Sequence, residues 1–102
     1  MKQIASISGK QIRLTSERWG HIVEEHCELA GMRDEVLETV VRPDKIFVGK
    51  YGEFLAVKEL SDGKFLITVY RESPTDNDGF VITAFLTRRM SYFNRREKIW
   101  PN

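Results

Sequence analysis

One cysteine in 102 residues, Cys27, leaves no internal disulfide and no two-cysteine zinc site. That fits a reducing compartment. No apolar run approaches the ~20 residues of a membrane-spanning helix. Residues 1–6, Met-Lys-Gln-Ile-Ala-Ser, lack the long apolar segment of a secretory signal, so the expected location is cytoplasmic. A net charge of +1 does not advertise a polyanionic partner for the whole chain. There is no internal repeat or low-complexity tract. With 41% hydrophobic and 30% charged residues, the composition is that of a globular protein, and residues 1–102 are expected to form one domain with a single core.

Histidine is nearly as scarce, and both copies fall in one stretch: Arg18-Trp19-Gly20-His21-Ile22-Val23-Glu24-Glu25-His26-Cys27-Glu28. Thr15 or Ser16 can cap a helix here, and Glu17 suits the positive end of its dipole. Trp19, Ile22, Val23 and His26 follow i, i+3, i+4, i+7, so His26 is expected to point with the apolar stripe toward the body of the domain. The helix is expected to end near Leu29. His21 falls on the side carrying Arg18 and Glu25. The five-residue spacing of the histidines is not that of a helical metal-ligand pair. Histidine gains and loses a proton near neutrality, which suits a general acid or base. A core-edge histidine bonded to a backbone carbonyl is the commoner use, and both readings of His26 stand on the residues alone.

Two short strands at 4–7 and 11–14 precede this helix, joined through Ser8-Gly9-Lys10. A second helix is expected over residues 32–41, with Met32, Val36, Leu37, Val40 and Val41 as its stripe. Pro43 stops it and pushes Arg42 out of helical geometry. Strands follow at 45–48, 54–60, 65–71 and 80–87, with Asp62-Gly63 as a hairpin signal between the second and third of these. A short helix is expected over 88–95 and a terminal tuck at Ile99-Trp100. A two-residue turn pairs Ser61 with Lys64, Lys58 with Ile67 and Phe54 with Arg71. Pairing Arg71 with Phe80 extends the sheet. One face then carries Phe54, Ala56, Lys58, Leu60, Phe65, Ile67, Val69 and Arg71, joined by Phe80, Ile82, Ala84 and Leu86, and should receive the helices. Thr83 and Tyr70 fall on the other face unless the register slips by one residue. The expected fold is α+β: an antiparallel β-sheet with two N-terminal helices packed on one face and a short C-terminal helix.

Charge is unevenly spread. Residues 17–38 hold seven acids against Arg18 and Arg33, while residues 88–98 hold Arg88, Arg89, Arg95, Arg96 and Lys98 against Glu97. A basic cluster interleaved with Tyr92, Phe93 and Trp100 can hold phosphates and stack on bases, or be a solvated surface whose aromatics belong to the core.

The order of elements, together with the histidine stretch, Arg42-Pro43-Asp44-Lys45-Ile46, Val69-Tyr70-Arg71-Glu72 and Phe80-Val81-Ile82-Thr83-Ala84-Phe85-Leu86-Thr87, resembles the barnase/EndoU/colicin/RelE-like (BECR-fold) nuclease superfamily, in its small phage- and toxin-associated branch. These segments run over most of the chain. One departure is Cys27, where a proline commonly follows the second histidine; it should let the helix run on slightly. The resemblance implies a metal-independent endoribonuclease without cofactor, the toxin of a toxin–antitoxin or phage-related system. Its partners would be an RNA substrate and a protein inhibitor (antitoxin).

Cleavage by 2′-hydroxyl attack needs a base, an acid and cations for the charge gathered on phosphorus. His26 is the first candidate for acid or base and His21 for the complement. Lys58 and Arg71 are candidates to hold the phosphate, Thr83 to donate a hydrogen bond, and Tyr70, Arg88 and Arg89 to contact substrate. Each has an ordinary use as well: a snorkelling strand lysine, an arginine fastening a loop, a β-branched strand residue. A former nuclease fold that binds RNA or protein without catalysis is the alternative. A structural or regulatory protein with no nucleic-acid role is a third.

Overall fold

The computed structural model describes residues 4–93 and 95–101, with the side chain of Tyr92 outside that description. The elements run β1 (Ile4–Ala5), β2 (Gln11–Arg13), α1 (Ser16–Glu25), a 3-10 turn (Cys27–Leu29), α2 (Arg33–Val41), β3 (Lys45–Val48), β4 (Phe54–Ser61), β5 (Lys64–Glu72), β6 (Gly79–Thr87), a second 3-10 turn (Met90–Phe93) and β7 (Glu97–Trp100). The strands form one seven-stranded sheet in the order β1-β2-β6-β5-β4-β3-β7.

This corrects the expected fold in two respects. The sheet is mixed, because β2 runs parallel to β6, Ile12 opposite Gly79 and Arg13 opposite Phe80. A parallel pair needs a long crossover, and here everything between β2 and β6 supplies it. No C-terminal α-helix forms among the described residues; residues 90–93 make one 3-10 turn and the tuck at Ile99-Trp100 is part of an edge strand antiparallel to β3. The reason is packing. A 3-10 turn sets Met90 and Phe93 on one side, where Phe93 is 2% exposed and stacks on Phe47 at 5.0 Å between centroids.

The sheet is apolar on both faces. One face, with Ile46, Ala56, Leu66, Tyr70, Val81 and Ala84, packs under Ile22 of α1 and Val36, Leu37 and Val40 of α2. The other gathers Phe47, Leu55, Val57, Ile67 and Val69 under Phe93, with Met90 at its margin. The Asp62-Gly63 turn forms as expected, with Ser61 opposite Lys64, but the ladder shifts between Glu59 and Ser61. Lys58 therefore faces Leu66 rather than Ile67, and Phe54 faces Tyr70 rather than Arg71. That slip moves Leu66, Thr68 and Tyr70 to the helix side and Ile67 and Val69 to the other. A second irregularity between Val69 and Tyr70 sets Tyr70 opposite Val81 while keeping Arg71 opposite Phe80, as expected.

Both helices obey local rules. The Thr15 side chain accepts a hydrogen bond from the Arg18 N–H at 3.1 Å, capping α1 from an extended backbone. Arg42 closes α2 at φ −132°, the non-helical geometry that Pro43 imposes. Thr68, fully buried, donates to the Val36 carbonyl at 2.9 Å and ties sheet to helix. The end of α1 departs from expectation: it stops at Glu25 rather than running on, and His26 is its cap at φ −132°, ψ 70°. The following 3-10 turn carries Leu29 into the core, where it is 0% exposed.

The β2–β6 junction depends on Gly79. A Cβ there would lie 2.5 Å from the Arg71 carbonyl oxygen and 2.7 Å from Ile12 Cδ1. The carbonyl belongs to the β5 ladder and has little freedom to move. Gly79→Ala is therefore expected to cost about 2 kcal/mol or more by overpacking, read as a lower urea midpoint. An unchanged midpoint would show that the junction is looser than this geometry requires.

Candidate active site

Strand β6 has a partner on its β2 side only at Gly79 and Phe80. From Val81 onward no strand covers that edge among the described residues. Helix α1 lies there instead. Between helix and strand edge is a cleft of about 250 Å³ lined by Arg18, His21, Ile22, Glu25, His26, Ile82 and Thr83. At its far end the His26 ring meets Phe85, 6.2 Å between centroids and tilted by 37°.

His26 reaches this cleft because it is a cap, not a helical residue. Its backbone N–H still donates to the Ile22 carbonyl at 2.8 Å, which fixes the ring's origin. Its side chain is 31% exposed, and Nδ1 lies 3.7 Å from the Glu28 carboxylate. The other ring nitrogen has no such partner among the described residues. One ring nitrogen thus faces a carboxylate beyond hydrogen-bond range, and the other is left to exchange a proton with a ligand. Thr83 of β6 lines the same space.

His21 is held differently. Nε2 lies 3.9 Å from Glu17 and Nδ1 3.6 Å from Glu24, both on its own helix. With each nitrogen turned toward a carboxylate, His21 is poorly disposed to move a proton for a substrate. It still lines the cleft.

Two residues outside the sequence-derived set complete the wall. Arg18 has no ion-pair partner among the described residues and lines three adjoining clefts, two of them beside His21. Glu25 precedes His26 and lines the cleft with it. Their signal was in the sequence: Arg18, His21 and Glu25 lie at i, i+3, i+7, one side of a helix.

The remaining candidates lie elsewhere. Lys58 donates to the Arg42 carbonyl at 3.0 Å, satisfying a group at the C-terminal end of α2. Arg71 donates to the Tyr51 carbonyl at 3.1 Å and fastens the β3–β4 turn. Tyr70 is 2% exposed on the helix side of the sheet and lines a separate cleft. Arg88 and Arg89 are exposed just past β6, at the end of the strand that Phe85 and His26 mark. Among the described residues no three His, Cys, Asp or Glu side chains are grouped to hold a metal ion, and no helix is long and apolar enough to cross a membrane.

At the other end of the groove, Arg13 donates to both Asp78 oxygens at 2.9 and 3.0 Å, clasping the loop of residues 73–78 to β2. The Arg13 hydrogen bond holds the Asp78 carboxyl below its ordinary range. No family model, no curated protein and no solved structure matches the chain.

Two outcomes follow. His26 is half-buried at a helix end, so His26→Ala should stay folded and lose about 1 kcal/mol or less in urea denaturation; unfolding would make it a structural residue. A lowered carboxyl pKa means the clasp contributes above the ordinary Asp range and is lost as pH falls through the folded value. NMR titration should therefore find Asp78 below the ordinary aspartate value in the native protein and back toward that value in Arg13→Ala.

Proposed function

We propose that the chain is a metal-independent endoribonuclease, the toxin of a toxin–antitoxin or phage-related system, as its resemblance to the BECR-fold nucleases implies. The observation that carries the reading is the convergence of His26, Glu25, Arg18 and Thr83 on one cleft between α1 and the open edge of β6. A fold-level resemblance does not establish chemistry, so the roles rest on that cleft.

In this reading the Glu25 carboxylate takes the proton from a 2′-hydroxyl, whose oxygen attacks phosphorus. The bond from phosphorus to the 5′-oxygen breaks, and His26 gives its proton to that leaving oxygen. The products are a 2′,3′-cyclic phosphate and a free 5′-hydroxyl. Arg18 offers the planar, always-charged donor set suited to the phosphoryl oxygens, and Thr83 a hydroxyl beside it. This assignment replaces Lys58 and Arg71 in the phosphate role, since both already serve backbone carbonyls. His21 becomes a neighbour rather than the complementary group.

The test is incubation of the purified protein with total RNA and with tRNA. Cleavage should persist in chelator. His26→Ala and Glu25→Gln should each lower it by ~10² or more, and Arg18→Ala should lower it more than Lys58→Ala or Arg71→Ala. His21→Ala should matter least among the cleft variants. Cleavage lost to chelator and restored by a divalent ion would sink the mechanism. A folded, fully active His26→Ala would remove its central group. A ribonuclease free in a cell also needs control, so expression without an inhibitor should arrest growth. Harmless accumulation of wild-type protein would count against the toxin reading.

A further inference from the structure

A second cleft lies on the helix side of the sheet, away from the groove of α1 and β6. It measures about 270 Å³ and is lined by Phe54, Tyr70 and Trp100, by Ile7, Ile46 and Ile99, and by Ser8 and Glu72. Phe54 and Tyr70 meet at 5.4 Å between ring centroids, tilted by 36°. The Glu72 carboxylate is already oriented: one oxygen, Oε2, accepts from the Ser6 hydroxyl and from the Ser8 hydroxyl at 2.6 Å. Its other oxygen has no hydrogen bond among the described residues. Tyr70 is 2% exposed, and its hydroxyl likewise has no partner among them. No buried side-chain polar atom lacks a partner there, so the hydroxyl is the part of Tyr70 that reaches the open cleft. Burial, reinforced by Glu72, pushes the phenol well up, so it stays neutral. No lysine or arginine lines the cleft.

We propose that this cleft is a binding site for a guanidinium group, and that its natural occupant is an arginine side chain of a polypeptide partner. A carboxylate among three aromatic rings attracts an organic cation both by charge and through the ring faces. An oxygen of Glu72 and the hydroxyl of Tyr70 both accept hydrogen bonds, so the cation needs N–H donors. A quaternary ammonium has none. A guanidinium is planar, stacks on aromatic rings and donates in its own plane. Free arginine carries the same head group, but it must also desolvate a doubly charged amino-acid end beside an apolar lining, which an arginine within a polypeptide does not. The site owes nothing to the ribonuclease reading.

The experiment is NMR titration of the full chain, following the Trp100 indole N–H, with methylguanidinium, tetramethylammonium, free L-arginine and N-acetyl-arginine methylamide as chloride salts against sodium chloride. Methylguanidinium should shift the signal saturably, and tetramethylammonium more weakly. The capped arginine should bind at least as tightly as free arginine. Glu72→Gln keeps acceptors for both serines and should weaken methylguanidinium roughly tenfold or more, the loss of a charge-assisted bond. Phe54→Leu, at a partly exposed ring, should weaken it as well and serves if the Glu72 variant is poorly folded. RNA cleavage, measured in parallel, should be unchanged in both variants, so this result and that for the α1 groove are read separately. The proposal is overturned if methylguanidinium acts no differently from sodium chloride, if both variants bind as wild type does, or if free arginine binds more tightly than the capped form.

Discussion

The two-residue length of the parallel contact between β2 and β6 decides most of what this protein presents to a ligand. Ile12 and Arg13 pair with Gly79 and Phe80, and the chain then turns away at Leu14 to enter α1. Had β2 continued, its ladder would have covered the edge of β6. Because it stops, α1 takes the flank and a groove opens between a helix and a strand edge. The close approach at Gly79 holds that junction, with the Arg71 carbonyl and the Ile12 side chain where a Cβ would lie. Groove, junction and helix start are one construction: Thr15 caps α1 through the N–H of Arg18, the residue whose side chain then lines the groove.

Much of this was legible beforehand. The strands from β3 to β6, the Asp62-Gly63 turn and the stop at Pro43 all follow from turn chemistry and apolar runs. Register was not legible, for a physical reason. Strands β4 and β5 are buried on both faces, under the helices on one side and Phe93 on the other. A period-two pattern chooses a register only where one face is polar. With Leu66 and Ile67 both at 0% exposure, sliding by one residue leaves the pattern equally satisfied. The bulge near Leu60 then sets the answer, and nothing in Glu59-Leu60-Ser61 announces it.

The residues of the cleft were legible in the sequence more than their geometry. His26 fits an apolar stripe at i+7, but Leu29 must enter the core, and a straight helix does not deliver it there. The chain leaves α1 at Glu25 and tightens into a 3-10 turn, which makes His26 a cap and swings it to β6. Thr83 lines the cleft because the edge of β6 is left uncovered beyond Phe80. Arg18 and Glu25 read as solvated charges on a helix until the strand edge is placed beside them. Lys58 shows the converse: as a cation bordering the core it needed a partner, and the partner is a helix-end carbonyl rather than a ligand.

Electrostatics limits how a polyanion can use such a groove. Helix α1 offers Glu17, Glu24 and Glu25 around Arg18, with Glu28 beyond His26. At physiological ionic strength charges are screened beyond about 8 Å, so these carboxylates act locally. They disfavour phosphates along most of the helix and leave Arg18 as the cation that lines the cleft with His26. Arg13 is neutralised by Asp78 at one end of the groove, whereas Arg88 and Arg89 lie exposed at the other. On the ribonuclease reading proposed above, a nucleic acid would enter at the end of β6 that carries His26 and meet Arg18 at one phosphate. The same acidic helix would favour a basic protein segment over the groove, and the Glu72 cleft selects the same sign of charge on a separate surface. Under the two proposals made above, a controlling protein would engage the chain through cations at both places, while a polyanionic substrate would be confined to one.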